Sequence, residues 1–140
     1  MVRVNIIRPS HLADQHLVAE YAEILMIFTY AKKHPDIEGI PKKYCLGTGH
    51  IKFFKNKLAY LKQRHEALKK EMRKRGFTPQ FSVSYAGIKK GLIKNWKPTA
   101  ADKRIIKQRL IWKLKKKKGF YKYYGKNKAT AFFLQMIKTA

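Results

Sequence analysis

Leu17, Tyr21, Ile24, Leu25 and Phe28 recur at three- and four-residue spacing. That period predicts an amphipathic helix, capped by Ser10 after Pro9 and running to about Ala31. A second stripe, Phe54, Leu58, Leu61, Leu68 and Met72 with His65 in register, predicts a helix opened by Gly47-Thr-Gly-His50. Gly76 should stop it, just after Lys74 and Arg75, where the helix dipole favours cations. A third stripe, Ile105, Ile106, Leu110 and Leu114, follows Thr99, with Asp102 placed to complete a capping box. Residues 32–44, carrying Pro35, Gly39 and Pro41, read as a loop, as does 77–98 with Pro79, Gly87, Gly91 and Pro98. The second loop is long enough to be functional or mobile. In the tail, Phe132, Phe133, Leu134, Met136 and Ile137 suit a short amphipathic segment. No internal repeat is present. The pattern is all-α.

Length and composition narrow the class. A chain of 140 residues with 45% apolar and 13% aromatic positions is one domain with a real core. It carries 33 Lys and Arg against 8 Asp and Glu, a formal charge of +25. A compact fold so charged repels itself unless an anion compensates, and nucleic acid is the first candidate, an anionic membrane surface the second. No apolar run approaches the roughly 20 residues of a membrane-spanning helix, and the charged start is not a signal peptide. A single cysteine, Cys45, permits no internal disulfide and points to a reducing compartment, with Cys45 as a small buried apolar residue. The histidines are scattered without metal-ligand spacing, so no metal and no cofactor is expected.

Two constellations carry chemistry. The block Gly119-Phe-Tyr-Lys-Tyr-Tyr-Gly-Lys126 interleaves rings with cations, which suits stacking on bases while ammonium groups hold phosphates. Its tyrosines would equally serve to pack the C-terminal segment onto the core. Gly47-Thr-Gly-His50 is either a phosphate-binding helix start or an ordinary one, and the lysine run 115–118 reads as a solvated face. The second constellation is acidic: Asp14, Glu20 and Glu23, three of the eight carboxylates, fall within one helix. Asp14 suits the first turn through the dipole, and Glu20 is open to either reading. Glu23 lies mid-helix, seven residues from His16 and so within about 20° of it around the axis. An α-amino group has a pKa of about 7.7–8.0 against about 10.4 for lysine, so its neutral fraction at pH 7 is roughly several hundredfold larger. Glu23 facing such an amine would make a nucleophilic pair.

At Ala13-Asp-Gln-His-Leu-Val-Ala-Glu-Tyr21 plus Glu23 the chain resembles the pyrimidine-dimer DNA glycosylases, the ultraviolet-repair endonuclease V family. Further blocks match in order: Val2-Arg-Val-Asn5, Leu46-Gly-Thr-Gly-His-Ile-Lys-Phe-Phe54 with Lys57-Leu58, Lys74-Arg-Gly-Phe77, and Tyr121-Lys-Tyr-Tyr-Gly-Lys126. The resemblance implies three main helices in a single compact domain, residues 1–128, with the N-terminal segment threaded between them. Residues 129–140 are left as an extension of unassigned role. It also implies a glycosylase with abasic-site lyase activity of the deoxyribodipyrimidine endonucleosidase type, acting on cyclobutane dimers in damaged double-stranded DNA. Removal of Met1 would expose Val2, whose amine attacks the sugar and forms an imine, with Glu23 as its catalytic partner. Arg3, Gln15, His16 and Tyr21 would line the lesion pocket. Arg109, Lys113 and Lys122 would hold the backbone. His65, Tyr121, Tyr123, Tyr124 and Lys126 complete the expected DNA-binding set. The family's best-known member has arginines where this chain has Ala22 and Met26, and a tryptophan where it has Phe120. A monomer inside a cell, in cytoplasm, nucleoid or viral host, with no membrane partner, is expected. The rival readings are a non-catalytic basic DNA-binding protein on the same scaffold and a glycosylase for another lesion.

Overall fold

The computed structural model describes residues 3–140. Five helices carry it: α1 (Asp14–Lys33), α2 (Gly49–Phe54), α3 (Leu58–Lys74), α4 (Ala100–Lys116) and α5 (Thr130–Thr139). A two-residue hairpin, β1 (Lys122–Tyr123) against β2 (Lys126–Asn127), joins α4 to α5. The three long helices match the three stripes, and the fold is all-α in a single compact domain. α1 packs on α3, while α5 packs on α4 and buries Phe133 and Ile137.

Helix boundaries move for identifiable reasons. α1 begins at Asp14 and has Ala13, not Ser10, as its N-cap. Pro9–His11 instead form a 3-10 turn. The helix extends to Lys33, and Leu25 of the expected stripe is exposed while Ile27 and Ala31 are buried. The second expected helix is two helices. Lys57 leaves helical geometry, with φ −124° and ψ 39°, and its ammonium donates to the Phe53 carbonyl and the Asn56 side chain. The Lys94 carbonyl then accepts the Ala59 and Tyr60 N–H groups, which serves the orphan donors at the start of α3. The apolar stripe survives the break because Phe54 and Leu58 are both fully buried. Gly76 takes a left-handed φ of 89°, which is the stop expected there. Thr99 and Asp102 cap α4 reciprocally, and Ile106, Leu110 and Leu114 are buried, but Ile105 is exposed.

The 77–98 segment is anchored by apolar side chains. Val83 and Leu92 are buried, Phe81 stacks on Tyr21, and Trp96 enters a ring cluster with Tyr44, Phe53, Phe54 and Tyr60. Val4, Ile6 and Ile7 thread the N-terminal segment through the core. Ile6 turns it sharply at φ 46°, with the Ile7 N–H donating to the Asn5 carbonyl. A β-branched residue in that region is strained by about 1–3 kcal/mol, which burial of the Ile6 side chain offsets. Cys45 is half-buried.

Candidate active site

The N-terminal segment is held at both backbone edges of one residue. His50 is buried at the start of α2, and its Nε2 accepts the Val4 N–H at 2.7 Å. Its Nδ1 lies 2.9 Å from the Cys45 carbonyl, so the hydrogen-bond network assigns the proton to Nδ1. Burial lowers the pKa of His50, which favours the neutral ring that this pattern requires. On the other edge the Tyr44 hydroxyl donates to the Val4 carbonyl at 3.2 Å. The His50 of the Gly-Thr-Gly-His block therefore holds the chain's own backbone, a role that its sequence context does not suggest.

With Val4 fixed, the Arg3 N–H donates to Glu23 Oε2 at 2.8 Å. The two meet at a small cavity lined by Arg3, Asn5, His16, Ala19, Glu20, Glu23, Leu110 and Lys113. Its space is about 40 Å³, enough for a water or two but not for a pyrimidine. Partial burial raises the pKa of Glu23, opposed by the Arg3 N–H and by the charges of Lys113 and Arg3. Desolvation also lowers that of Lys113, helped by Arg3 and Arg109. His16 is pushed down to about 4 by burial and then by Lys113 and Arg3, so it is neutral at pH 7. Its ring lies 4.7 Å from that of Tyr121, and among the described residues neither ring nitrogen has a hydrogen-bond partner.

Several expected residues therefore meet: Arg3, His16, Glu23 and Lys113 share one cavity, with Arg109 one turn before Lys113 on α4. Asn5 is a further lining residue, not anticipated from the sequence. Val2 lies outside the described residues. Others stand elsewhere. Tyr21 is buried, and its hydroxyl accepts the Gln80 and Phe81 N–H groups at 2.6 and 2.8 Å. His65 is fully buried, stacks on Tyr21 and bonds the Tyr21 carbonyl at 3.0 Å. Gln15 uses both ends of its amide on the C-terminal block, donating to the Phe120 carbonyl and accepting the Lys122 N–H. Within that block Tyr121 is buried, and Tyr123 donates its hydroxyl to the Ser10 carbonyl, so both pack it down. Tyr124, Lys122 and Lys126 are exposed.

The other two acids are structural. Glu20 is fully buried and takes a bidentate pair from Arg64 at 2.7 and 2.9 Å. Asp14 accepts Arg75 and the backbone N–H groups of Tyr124 and Gly125, at 3.0, 3.1 and 2.8 Å. Arg75 also bonds Glu71 and the carbonyls of Leu12, Pro9 and Ser10, and lies over the rings of Tyr123 and Tyr124. Of the three clustered carboxylates, Asp14 and Glu20 are taken up by buried arginines, whereas Glu23 meets the cavity through its bond from the Arg3 N–H.

The sequence profile of the pyrimidine dimer DNA glycosylase family matches residues 1–84 of the 140. The chain belongs to that family. The matched part supplies Arg3, His16, Glu23 and the His50 anchor, whereas Lys113 and the hairpin lie beyond it. A glycosylase of this family takes DNA as its substrate, consistent with the excess of positive charge. No described helix is long and apolar enough to cross a membrane. Among the described residues, no group of three or more His, Cys, Asp or Glu side chains could hold a metal ion.

Proposed function

We propose that the protein breaks the glycosidic bond of the 5′ base of a cyclobutane pyrimidine dimer in double-stranded DNA and then cleaves the strand at the resulting abasic sugar. The nucleophile is the α-amine of Val2, exposed when Met1 is removed. It attacks the sugar C1′ as the glycosidic bond breaks, a proton from the amine passes to N1 of the freed pyrimidine, and that base stays joined to its 3′ neighbour through the cyclobutane ring. Opening of the sugar ring gives a protonated imine, loss of a C2′ proton follows, and the 3′ phosphate leaves by β-elimination. The observation that carries this reading is the 2.8 Å bond from the Arg3 N–H, the next backbone nitrogen after that of Val2, to Glu23. A carboxylate that binds the backbone one residue from the proposed nucleophile would stabilise a cationic sugar or imine, and its raised pKa suits proton exchange during elimination. Neutral His16 offers an uncharged donor and acceptor to the sugar, while Lys113 and Arg109 take the flanking phosphates. The cavity is too small to enclose a sugar or a base, so in this reading only the reacting atoms come up to its mouth and the nucleotide is held outside it.

Borohydride reduction should trap a covalent complex of protein with irradiated or abasic DNA, provided mass spectrometry confirms the Val2 terminus. Glu23→Gln should leave binding within about threefold while lowering strand cleavage by about 100-fold or more. No trapping with a verified terminus would sink the proposal. The rival, a basic DNA-binding protein without chemistry, draws on Ala22 and Met26, both exposed and uncharged on α1 beside Glu23. It forecasts no cleavage by the wild type at all.

A further inference from the structure

Trp112 has no part in the chemistry above, yet it is 49% exposed on α4. An exposed indole is unusual on a surface so rich in cations, and its neighbours are specific. The Arg109 guanidinium and the Lys116 ammonium each lie 4.6 Å from its ring. With Lys113, Lys116, Lys117 and Tyr121 it lines a cleft of about 200 Å³. No lining residue is acidic. Two links join this cleft to the Glu23 cavity. Lys113 lines both, and Tyr121 lies against His16.

We propose that this cleft takes one nucleobase of the DNA, stacked on Trp112, beside the sugar that faces Glu23. Tryptophan offers the largest π-face, and three lysines around it supply the partners of the adjoining phosphates. Before DNA arrives, Arg109 and Lys116 are held over the ring by cation–π attraction. Phosphates compete for the same cations, and once those turn outward the ring is open to a base. The base must be unstacked to enter, so the site favours DNA whose stacking a lesion or a missing base has already weakened. The inference rests on the proposed action on DNA but not on the amine chemistry.

The chain has two tryptophans, and Trp96 is half-buried within its ring cluster. Titration with a short duplex carrying a tetrahydrofuran abasic analogue should quench Trp112 emission, more strongly than the intact duplex does. Trp112→Ala should lose that quench and bind the abasic duplex about tenfold or more weakly, the loss of one stacked base. Trp112→Phe, which keeps a flat ring, should stay within about threefold of wild type. Quenching that persists in W112A, or W112A binding as tightly as wild type, overturns the proposal. So does W112F binding as weakly as W112A. Failure of borohydride trapping in the wild type, with these changes intact, would count against the imine mechanism alone.

Discussion

His16 shows how burial sets the chemistry of a single side chain. Its ring is buried against Tyr121 and faces two cations, which together hold it neutral down to about pH 4. The unfolded chain binds a proton at about 6.5. Stability from this group is therefore complete above about pH 6.5 and is lost as pH falls toward 4. Thermal melts of His16→Phe, which retains the ring contact, should show a shallower loss of Tm across that window than wild type. His50 and His65 are depressed in the same direction and sustain the remaining slope. Glu23 has the opposite sign: its raised pKa makes ionisation cost stability as pH rises, so the fold carries it at some expense. Glu23 stands out in the sequence because a mid-helix carboxylate has no local reason to be there. Asp14 has a local reason in the first turn of its helix, but Glu20 cannot be told from Glu23 on those grounds, since its Arg64 partner lies 44 residues away. Tyr21 and His65 lie in the apolar stripes of their helices, and it is the family resemblance that points them to the DNA. The packing of Phe81 on Tyr21 and the bond from His65 to the Tyr21 carbonyl join them as a core pair, in line with the stripes.

Among elements, the N-terminal segment is the one that precision depends on. From Arg3 to Arg8 it belongs to no helix or strand, so its backbone groups need side chains from elsewhere. His50 and Tyr44 meet that need at Val4. His50→Leu would leave the Val4 N–H buried without an acceptor, at a cost of about 1–3 kcal/mol. It would also free Arg3 to drift from Glu23. Single-turnover assays on abasic DNA should show elimination slowed by about tenfold or more, since small misplacements of reacting groups carry costs of that order. The affinity for the duplex should change by less than about threefold. Equal losses in rate and affinity would show His50 to be only a part of the general scaffold. The helices themselves are readable because their stripes follow the 3.6-residue period. The break at Lys57 is not, since both halves keep the same stripe and the non-helical geometry of one residue leaves no mark on it. The Ser10 cap fails because an Arg75 clamp on the Pro9 and Ser10 carbonyls holds that stretch as a 3-10 turn.

For the molecule as a whole, a formal charge of +25 governs how it meets DNA. If Arg109, Lys113 and Lys122 each neutralise one phosphate, they alone contribute about −2.7 to the slope of log K against log salt. Lys122→Ala, an exposed change, should make the measured slope shallower by about 0.9 without altering the preference for damaged over intact duplex. A changed preference with an unchanged slope would remove Lys122 from the phosphate-holding set. That α4 is basic is plain from composition. Which of its residues turn toward Glu23 is not, because that depends on how α4 crosses α1.

The bonds from Asp14 to the amides of Tyr124 and Gly125 join positions 110 and 111 residues apart. They form only when both segments exist. During synthesis the carboxylate cluster of α1 leaves the ribosome first and waits for the hairpin while α3 and α4 are made. Until Tyr121 arrives, His16 lacks the ring that packs against it, and its imidazole lies closer to solvent and to its ordinary titration range. A nascent chain that stops short of the hairpin thus carries its glutamate and its candidate nucleophile without the neutral histidine beside them. The candidate site is complete only once the hairpin has been made.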